Sequence, residues 1–223
     1  MNLYCPILSR FLLWFFHLLY HQFAWMYDFV AWVVSLGKWK HWVYQVIPFL
    51  EGDYILELGH GPGHLQKKLL GRNSRTFGID ASLQMGNLAH QQLQHLIENK
   101  KVFYGKLTRA HAQALPFPPH TFDTVVATFP SEYIFDHQTA SEIARTLKTN
   151  GKLVILLSAL PSGKTPGHLL IKWLFNITGQ TPPPETKLKQ YLKPFEQHGL
   201  EIHLNFIEFP GSRLLILTAS KND

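Results

Sequence analysis

A single cysteine, Cys5, stands in 223 residues. That excludes a disulfide framework, a cysteine-ligated zinc or iron–sulfur centre and any relay through several thiols, and it makes a reducing compartment the default. Charge is scarce as well: 16% of residues are Asp, Glu, Lys or Arg, and no run of five like charges occurs. The net charge of +6 favours an anionic surface or ligand but is too diffuse to indicate nucleic acid, which is not expected as a partner. The chain also lacks a Gly-x-x-x-x-Gly-Lys-Ser/Thr phosphate loop, a Gly-x-Ser-x-Gly elbow and a Ser-His-Asp order, so P-loop nucleotide hydrolysis and acyl hydrolysis are unsupported. What is present is 46% apolar residues with 15 Gly and 14 Pro, the composition of a folding chain long enough to bury a core.

Composition shifts once along the chain. Residues 1–50 hold 15 of the 30 aromatics and five of the six tryptophans, with only Arg10, Asp28, Lys38 and Lys40 formally charged. Between Arg10 and Asp28 run 17 uncharged residues, close to the lower limit for crossing a hydrocarbon core. Wound as one helix, Arg10, His17, His21, Asp28 and Ser35 fall on a narrow stripe bordered by Trp14, Trp25 and Trp32 on one side and by Tyr20 and Tyr27 on the other. The remaining arc is apolar. Three placements suit that pattern: a helix lying in the headgroup region, which leads; packing on the chain's own core or as the seam of a homodimer; and a true span. A signal peptide is not expected, because early basic residues and a small-x-small cleavage site are missing. The chain therefore divides into an aromatic-rich helical lid or membrane-surface segment, 1–50, and a domain at 51–223.

From residue 51 the pattern alternates. Strands are expected at Tyr54–Leu58, Thr76–Ile79, Leu107–Ala110, Phe122–Thr128 and Lys152–Leu157, with helices near 63–71, 82–97 and 137–148. Such alternation predicts parallel βαβ units. A helix at Lys187–His198 and strands at Leu200–Ile207 and Arg213–Ala219 follow, the last pair joined through residues 208–212 as an antiparallel hairpin. The fold class is thus α/β, a Rossmann-like seven-stranded sheet, parallel but for one antiparallel strand near the edge, with helices on both faces and an N-terminal helical extension.

The first strand runs into Glu57-Leu58-Gly59-His60-Gly61-Pro62-Gly63. Glycines at alternate positions remove Cβ atoms where a strand turns into a helix, so a ligand can lie against backbone at the carboxyl end of a sheet. Pro62 removes an amide that a pyrophosphate would use, so a nucleoside without phosphate is favoured. Asp80 ends the second strand, where a carboxylate can accept both hydroxyls of a ribose; capping Ala81-Ser82 is its alternative role.

Here the sequence resembles class I S-adenosylmethionine-dependent methyltransferases, within them the ubiquinone/menaquinone-biosynthesis-type group, over roughly residues 25–220. Ile55–Gly63 is similar to their first motif, and Gly78-Ile79-Asp80-Ala81-Ser82-Leu83-Gln84-Met85 to their second-strand segment. Ala112–Phe117 and Phe122–Val126 are similar to the third-strand loop and fourth strand, Glu142–Leu153 to the next helix, turn and strand, and Tyr27-Asp28 ahead of Trp39 and Trp42 to the N-terminal lid. The resemblance implies S-adenosyl-L-methionine as cofactor, held by Glu57, Gly59, His60, Gly61, Gly63, Asp80, Ala81, Met85, His111, Ala112 and Phe129. Two positions depart from the pattern. His60 stands where a small residue or Cys is usual, and Ala110-His111-Ala112 replaces the Gly-Asp-Ala whose Asp meets the adenine, leaving His111 or the Ala112 amide for that contact.

Methyl transfer is an in-line displacement that asks the protein to align nucleophile and methyl, exclude water and, for some acceptors, remove a proton. The resemblance places the acceptor pocket beyond the fourth strand and beneath the lid. Phe129, Glu132, Tyr133, Asp136 and His137 are the residues there, of which Glu132, Tyr133 and His137 are catalytic candidates, Glu132 or His137 as base. Capping or solvated surface is their alternative. No metal site is expected: His60 and His64 bracket the turn, but no ligand spacing recurs. The apolar stretch Gly167–Phe175 after the fifth strand, taken with the first 35 residues, suggests a hydrophobic small-molecule acceptor, quinone-like or lipid, met by a cytoplasmic protein peripheral on the cytoplasmic face of a membrane. A soluble enzyme dimerising through its N-terminal segment and a non-catalytic interaction protein on the same scaffold are the alternatives.

Overall fold

A computed structural model describes residues 37–70, 74–99, 106–161 and 185–221. The stripe at 10–35 and the 167–175 stretch lie outside the described residues. So does most of the expected N-terminal extension, which enters as a short helix α1 (Trp39–Val43) and a 3-10 turn at Tyr44–Phe49.

Seven strands form one sheet in the order β3-β2-β1-β4-β5-β7-β6. They are β1 (Tyr54–Leu58), β2 (Arg75–Asp80), β3 (Leu107–Arg109), β4 (Phe122–Thr128), β5 (Leu147–Pro161), β6 (Leu200–Phe209) and β7 (Ser212–Lys221). The first five are mutually parallel, and β7 runs antiparallel to both β5 and β6. The helices are α2 (His64–Leu69), α3 (Leu83–Asn99), α4 (His137–Thr146) and α5 (Glu185–Gln197), with a second 3-10 turn at Glu132–Phe135.

Strand β1 shows why the centre holds. In Tyr-Ile-Leu-Glu-Leu, residues 55–58 are all buried, as a parallel strand covered on both faces requires. Leu56 and Leu58 face the cluster that α4 and α5 cover, which includes Phe122, Ile143, Leu147 and Phe195. Ile55 faces a second cluster, in which Trp42, Val46 and Leu50 pack on Val126, Val154 and Ile216. The segment before β1 is therefore a structural cover on the sheet as well as a lid candidate, and Trp42, 2% exposed, contributes about 2–3 kcal/mol through burial alone.

Two expectations at element ends are corrected. Strand β5 begins at Leu147, beside Phe122, and not at Lys152; an irregularity between the Phe122 and Thr124 pairings takes up the difference, and Asn150 sits at φ 61°. The link between the last strands is Pro210-Gly211, not residues 208–212, because Glu208 pairs with Arg213 and Phe209 with Ser212 in the ladder. Ile207 and Phe209 pack on the second cluster, and the alternation of a strand carries Glu208 along between them.

Candidate active site

The carboxyl ends of β1, β2 and β4 converge, and chain connections on either side of β1 leave in opposite directions, the place where open α/β sheets hold ligands. The turn after β1 is built from left-handed backbone: φ is 68° at Gly59, 52° at Gly61 and 88° at Gly63. The three glycines serve different ends. A Cβ on Gly63 would lie 3.0 Å from that of Ala89, so the third glycine lets α2 approach α3. A Cβ on Gly59 would come within 2.6 Å of the Tyr133 hydroxyl, whereas one on Gly61 would meet nothing within 4 Å. Gly61 thus borders open space.

Asp80 faces the same turn. One carboxylate oxygen accepts from the Gly61 amide at 2.9 Å and the other from the Ser82 amide at 2.8 Å. The acid thus caps the Ala81-Ser82 step, the alternative role expected for it, and also braces the glycine turn. The turn is bound from behind as well, the amides of Gly59 and His60 both donating to the Ile79 carbonyl (2.8 and 3.1 Å).

Beneath the turn lies a buried polar layer. Glu57 is 1% exposed and accepts from Gln66 Nε2 at 2.9 Å, which also donates to the Phe77 carbonyl at 3.2 Å. Burial pushes the Glu57 carboxyl up to about 8, the Gln66 hydrogen bond opposes that, and the negative Asp80 adds to it. Glu57 is therefore mostly protonated at pH 7. His60 lies against Gly78 of β2, with Nδ1 2.7 Å from the Gly61 carbonyl, so this nitrogen carries the proton. Burial lowers its pKa, against the pull of Asp80. The side chain of His60 is part of the turn's scaffold.

At the end of β4, Phe129 takes φ 48°, a conformation that costs a side-chain-bearing residue about 1 kcal/mol or more and collects at functional sites. Its amide donates to the Leu156 carbonyl at 2.8 Å. Its ring stacks on Trp39 of α1 at 4.3 Å and lies 6.4 Å from Trp42. Of the three catalytic candidates, the structure brings only Tyr133 to the turn, its hydroxyl donating to the Leu58 carbonyl at 3.3 Å. Glu132 and His137 are exposed, His137 edge-on to His198 at 5.6 Å, and Asp136 caps α4 through the Gln138 amide. Met85 is fully buried, Ala81 is exposed, and Ala112 is buried beside an exposed His111.

Residues 56–155 match the family described as a methyltransferase domain. The ubiquinone/menaquinone biosynthesis C-methyltransferase UbiE of Blochmanniella floridana is 29% identical over 183 residues, which cover 78% of this chain and 71% of that one. The methyltransferase-domain match and this relative support a class I S-adenosylmethionine-dependent methyltransferase. The UbiE of Cronobacter sakazakii is 28% identical over 149 residues, and there the match spans 64% of the methyltransferase described here and 58% of its relative. Among solved structures, Haemonchus contortus phosphoethanolamine N-methyltransferase 2, in complex with S-adenosyl-L-methionine, superposes with a TM-score of 0.58 at 15% identity, covering 84% of this methyltransferase and 53% of that chain; it attests the fold.

The residues of this methyltransferase fit an adenosyl cofactor. The open side of Gly61 adjoins a carboxylate whose spare lone pairs can take ribose hydroxyls. Three contributors escape sequence reading. Gln66 and Ser82 are isolated polar residues at helix starts, and only their burial shows that they brace Glu57 and Asp80. Leu83, 52% exposed, presents an apolar side chain two residues beyond Ala81, a feature for which nothing in the pattern of alternation calls.

Proposed function

We propose that this methyltransferase acts on a hydrophobic small molecule, a quinone-like ring or a lipid, at a membrane surface. The observation that carries the reading is the juxtaposition of the glycine turn, open at Gly61 beside Asp80, with the aromatic stack of Trp39 on Phe129 at the end of β4. The former suits a nucleoside, and the latter gives the neighbouring space an apolar wall. The UbiE relatives, named as C-methyltransferases of quinone biosynthesis, support a quinone-like acceptor.

In this reading S-adenosylmethionine supplies an electrophilic methyl group carried on a sulfonium. Asp80 accepts the ribose hydroxyls while keeping its bonds to the turn. The glycine turn at 59–63 lies along the amino-acid portion, with Glu57 beneath it. Ala81, Met85, Leu83, His111 and Ala112 surround the base. Tyr133 holds its hydroxyl over Gly59, where its one proton can turn from the long bond to the Leu58 carbonyl towards an acceptor oxygen, and Phe129 and Trp39 keep water from that side. Glu132 and His137, exposed on the same 3-10 turn and helix start, are the bases available to a proton released by the acceptor.

Incubating the full chain with methyl-labelled S-adenosylmethionine and a membrane extract tests the acceptor class. Label should enter the organic phase on one discrete species, and Tyr133→Phe should cut the initial rate about tenfold or more, the scale of one lost donor to a developing charge. Label that stays wholly aqueous contradicts a hydrophobic acceptor.

A further inference from the structure

The stretch from Ala110 to Thr121 contains neither helix nor strand and connects β3 to β4. Its first end is tied to the acid of β2. The Ala110 amide donates to the Asp80 carbonyl at 3.2 Å, and Arg109 Nε donates to the Ala81 carbonyl at 3.0 Å. Its far end is held by two side chains on one turn of α4. Glu142 Oε2 accepts from the Leu115 amide at 2.7 Å. Arg145 donates through Nη2 to the Leu115 carbonyl at 3.1 Å and through Nη1 to the Phe117 carbonyl at 2.8 Å. The two side chains also bond each other, Nε to Oε1 at 2.6 Å and Nη2 to Oε2 at 2.7 Å, a fork-on-fork geometry that fixes both. The carbonyl of Arg145 accepts from the His120 amide at 3.0 Å.

Within this stretch the Ala114 amide donates to the His111 carbonyl at 3.1 Å, which closes a turn and leaves His111, Ala112 and Gln113 at its tip, between the tether on Asp80 and the clamp on α4. Leu115 and Ala112 are buried while His111 is exposed, so the turn presents a mixed surface beside the ribose acid. A cluster of Phe117, Phe77 and Phe122, with ring centroids 5.0–5.9 Å apart, packs below it.

We infer that Glu142 and Arg145 are positioning residues for the base of the cofactor: by holding the backbone at 115 and 117 they set where residues 111–113 stand, and so the affinity for the adenosyl group, without touching it. The inference rests on the reading that the glycine turn and Asp80 hold S-adenosylmethionine. Ionisation supports it. The Arg145 hydrogen bond, and then the Leu115 amide, hold the Glu142 carboxyl below the usual range against partial burial, and Glu142 raises Arg145 in turn. The clamp stays charged across neutral pH.

Titration of the full chain with S-adenosylhomocysteine and with adenosine tests this. The wild type should bind both. Arg145→Met should weaken both by the same factor, about tenfold or more, as expected when charged hydrogen bonds that order a binding segment are lost. Lys148→Met, which removes an ion pair to Asp123 at the amino ends of β4 and β5, the end of the sheet away from the glycine turn, should leave both affinities within about twofold and controls for general loosening. Should Arg145→Met fail to fold, Arg145→Lys, which keeps the charge but not the fork, takes its place with an expected loss of about threefold to tenfold. Unchanged affinity in the folded Arg145 variant, an equal loss in Lys148→Met, or a loss for S-adenosylhomocysteine but not adenosine overturns the inference. A wild type that binds neither ligand overturns the cofactor reading itself.

Discussion

At the scale of single residues, the site is governed by which groups are buried and which face open space. Glu57 is the clearest case. Its carboxyl titrates near 8 in the fold against an ordinary value of 4.5, so folding favours the protonated form. The stability this gives is complete below about pH 4.5 and is lost as pH rises towards 8. Glu57→Gln carries no such loss. In denaturant titrations the variant should therefore gain on the wild type steadily between pH 5 and 8, by up to roughly 4 kcal/mol, and the gap should be flat above pH 9; a gap that does not change with pH contradicts the burial of a neutral acid. Gly61 gives a second test. Alanine there meets no atom within 4 Å but must adopt φ near 52°, so Gly61→Ala should cost about 1–2 kcal/mol of stability. If the open space is the cofactor's, the same variant should bind S-adenosylhomocysteine about tenfold or more weakly, and unchanged affinity would place the ligand elsewhere.

At the scale of elements, how much was legible depended on what sets each boundary. Strands β1 and β4 follow the expected bounds because both are apolar runs ended by the glycine turn or by Pro130. The lengthened β5 and the two-residue hairpin at Pro210-Gly211 were not legible, since the pairing of Leu147 with Phe122 and of Glu208 with Arg213 is decided across strands and leaves no local signal. The site divided in the same way. Asp80 and the glycines were readable from spacing, whereas the clamp of Glu142 and Arg145 on Leu115 and Phe117 spans about thirty residues, and the strained Phe129 owes its φ to contacts with Leu156 and Trp39. Helix α3 offers a local prediction. Gly86 lies within it with nothing inside 4 Å of a built Cβ, so Gly86→Ala should raise stability by about 0.5–1 kcal/mol in thermal or chemical unfolding, and a loss would mean that α3 is packed more tightly there than its geometry shows.

At the scale of the molecule, a basic chain of net charge +6 carries an aromatic-rich leading segment, and no helix among the described residues is long and apolar enough to cross a membrane. If the site works at a lipid surface, the full chain should float with anionic vesicles at low ionic strength and be partly released as salt rises, because screening weakens its charge attraction while leaving the aromatic contribution; protein that stays at the bottom at every salt concentration contradicts surface binding. The account as a whole depends on one adenosyl site formed by residues 59–63 and the acid at the end of β2. Calorimetric titration of the intact chain with S-adenosylhomocysteine, wild type against Asp80→Asn, tests it most directly. The account predicts one ligand per chain and a loss of about tenfold or more in the variant; no heat of binding at millimolar ligand, or equal affinity for the two proteins, would contradict it.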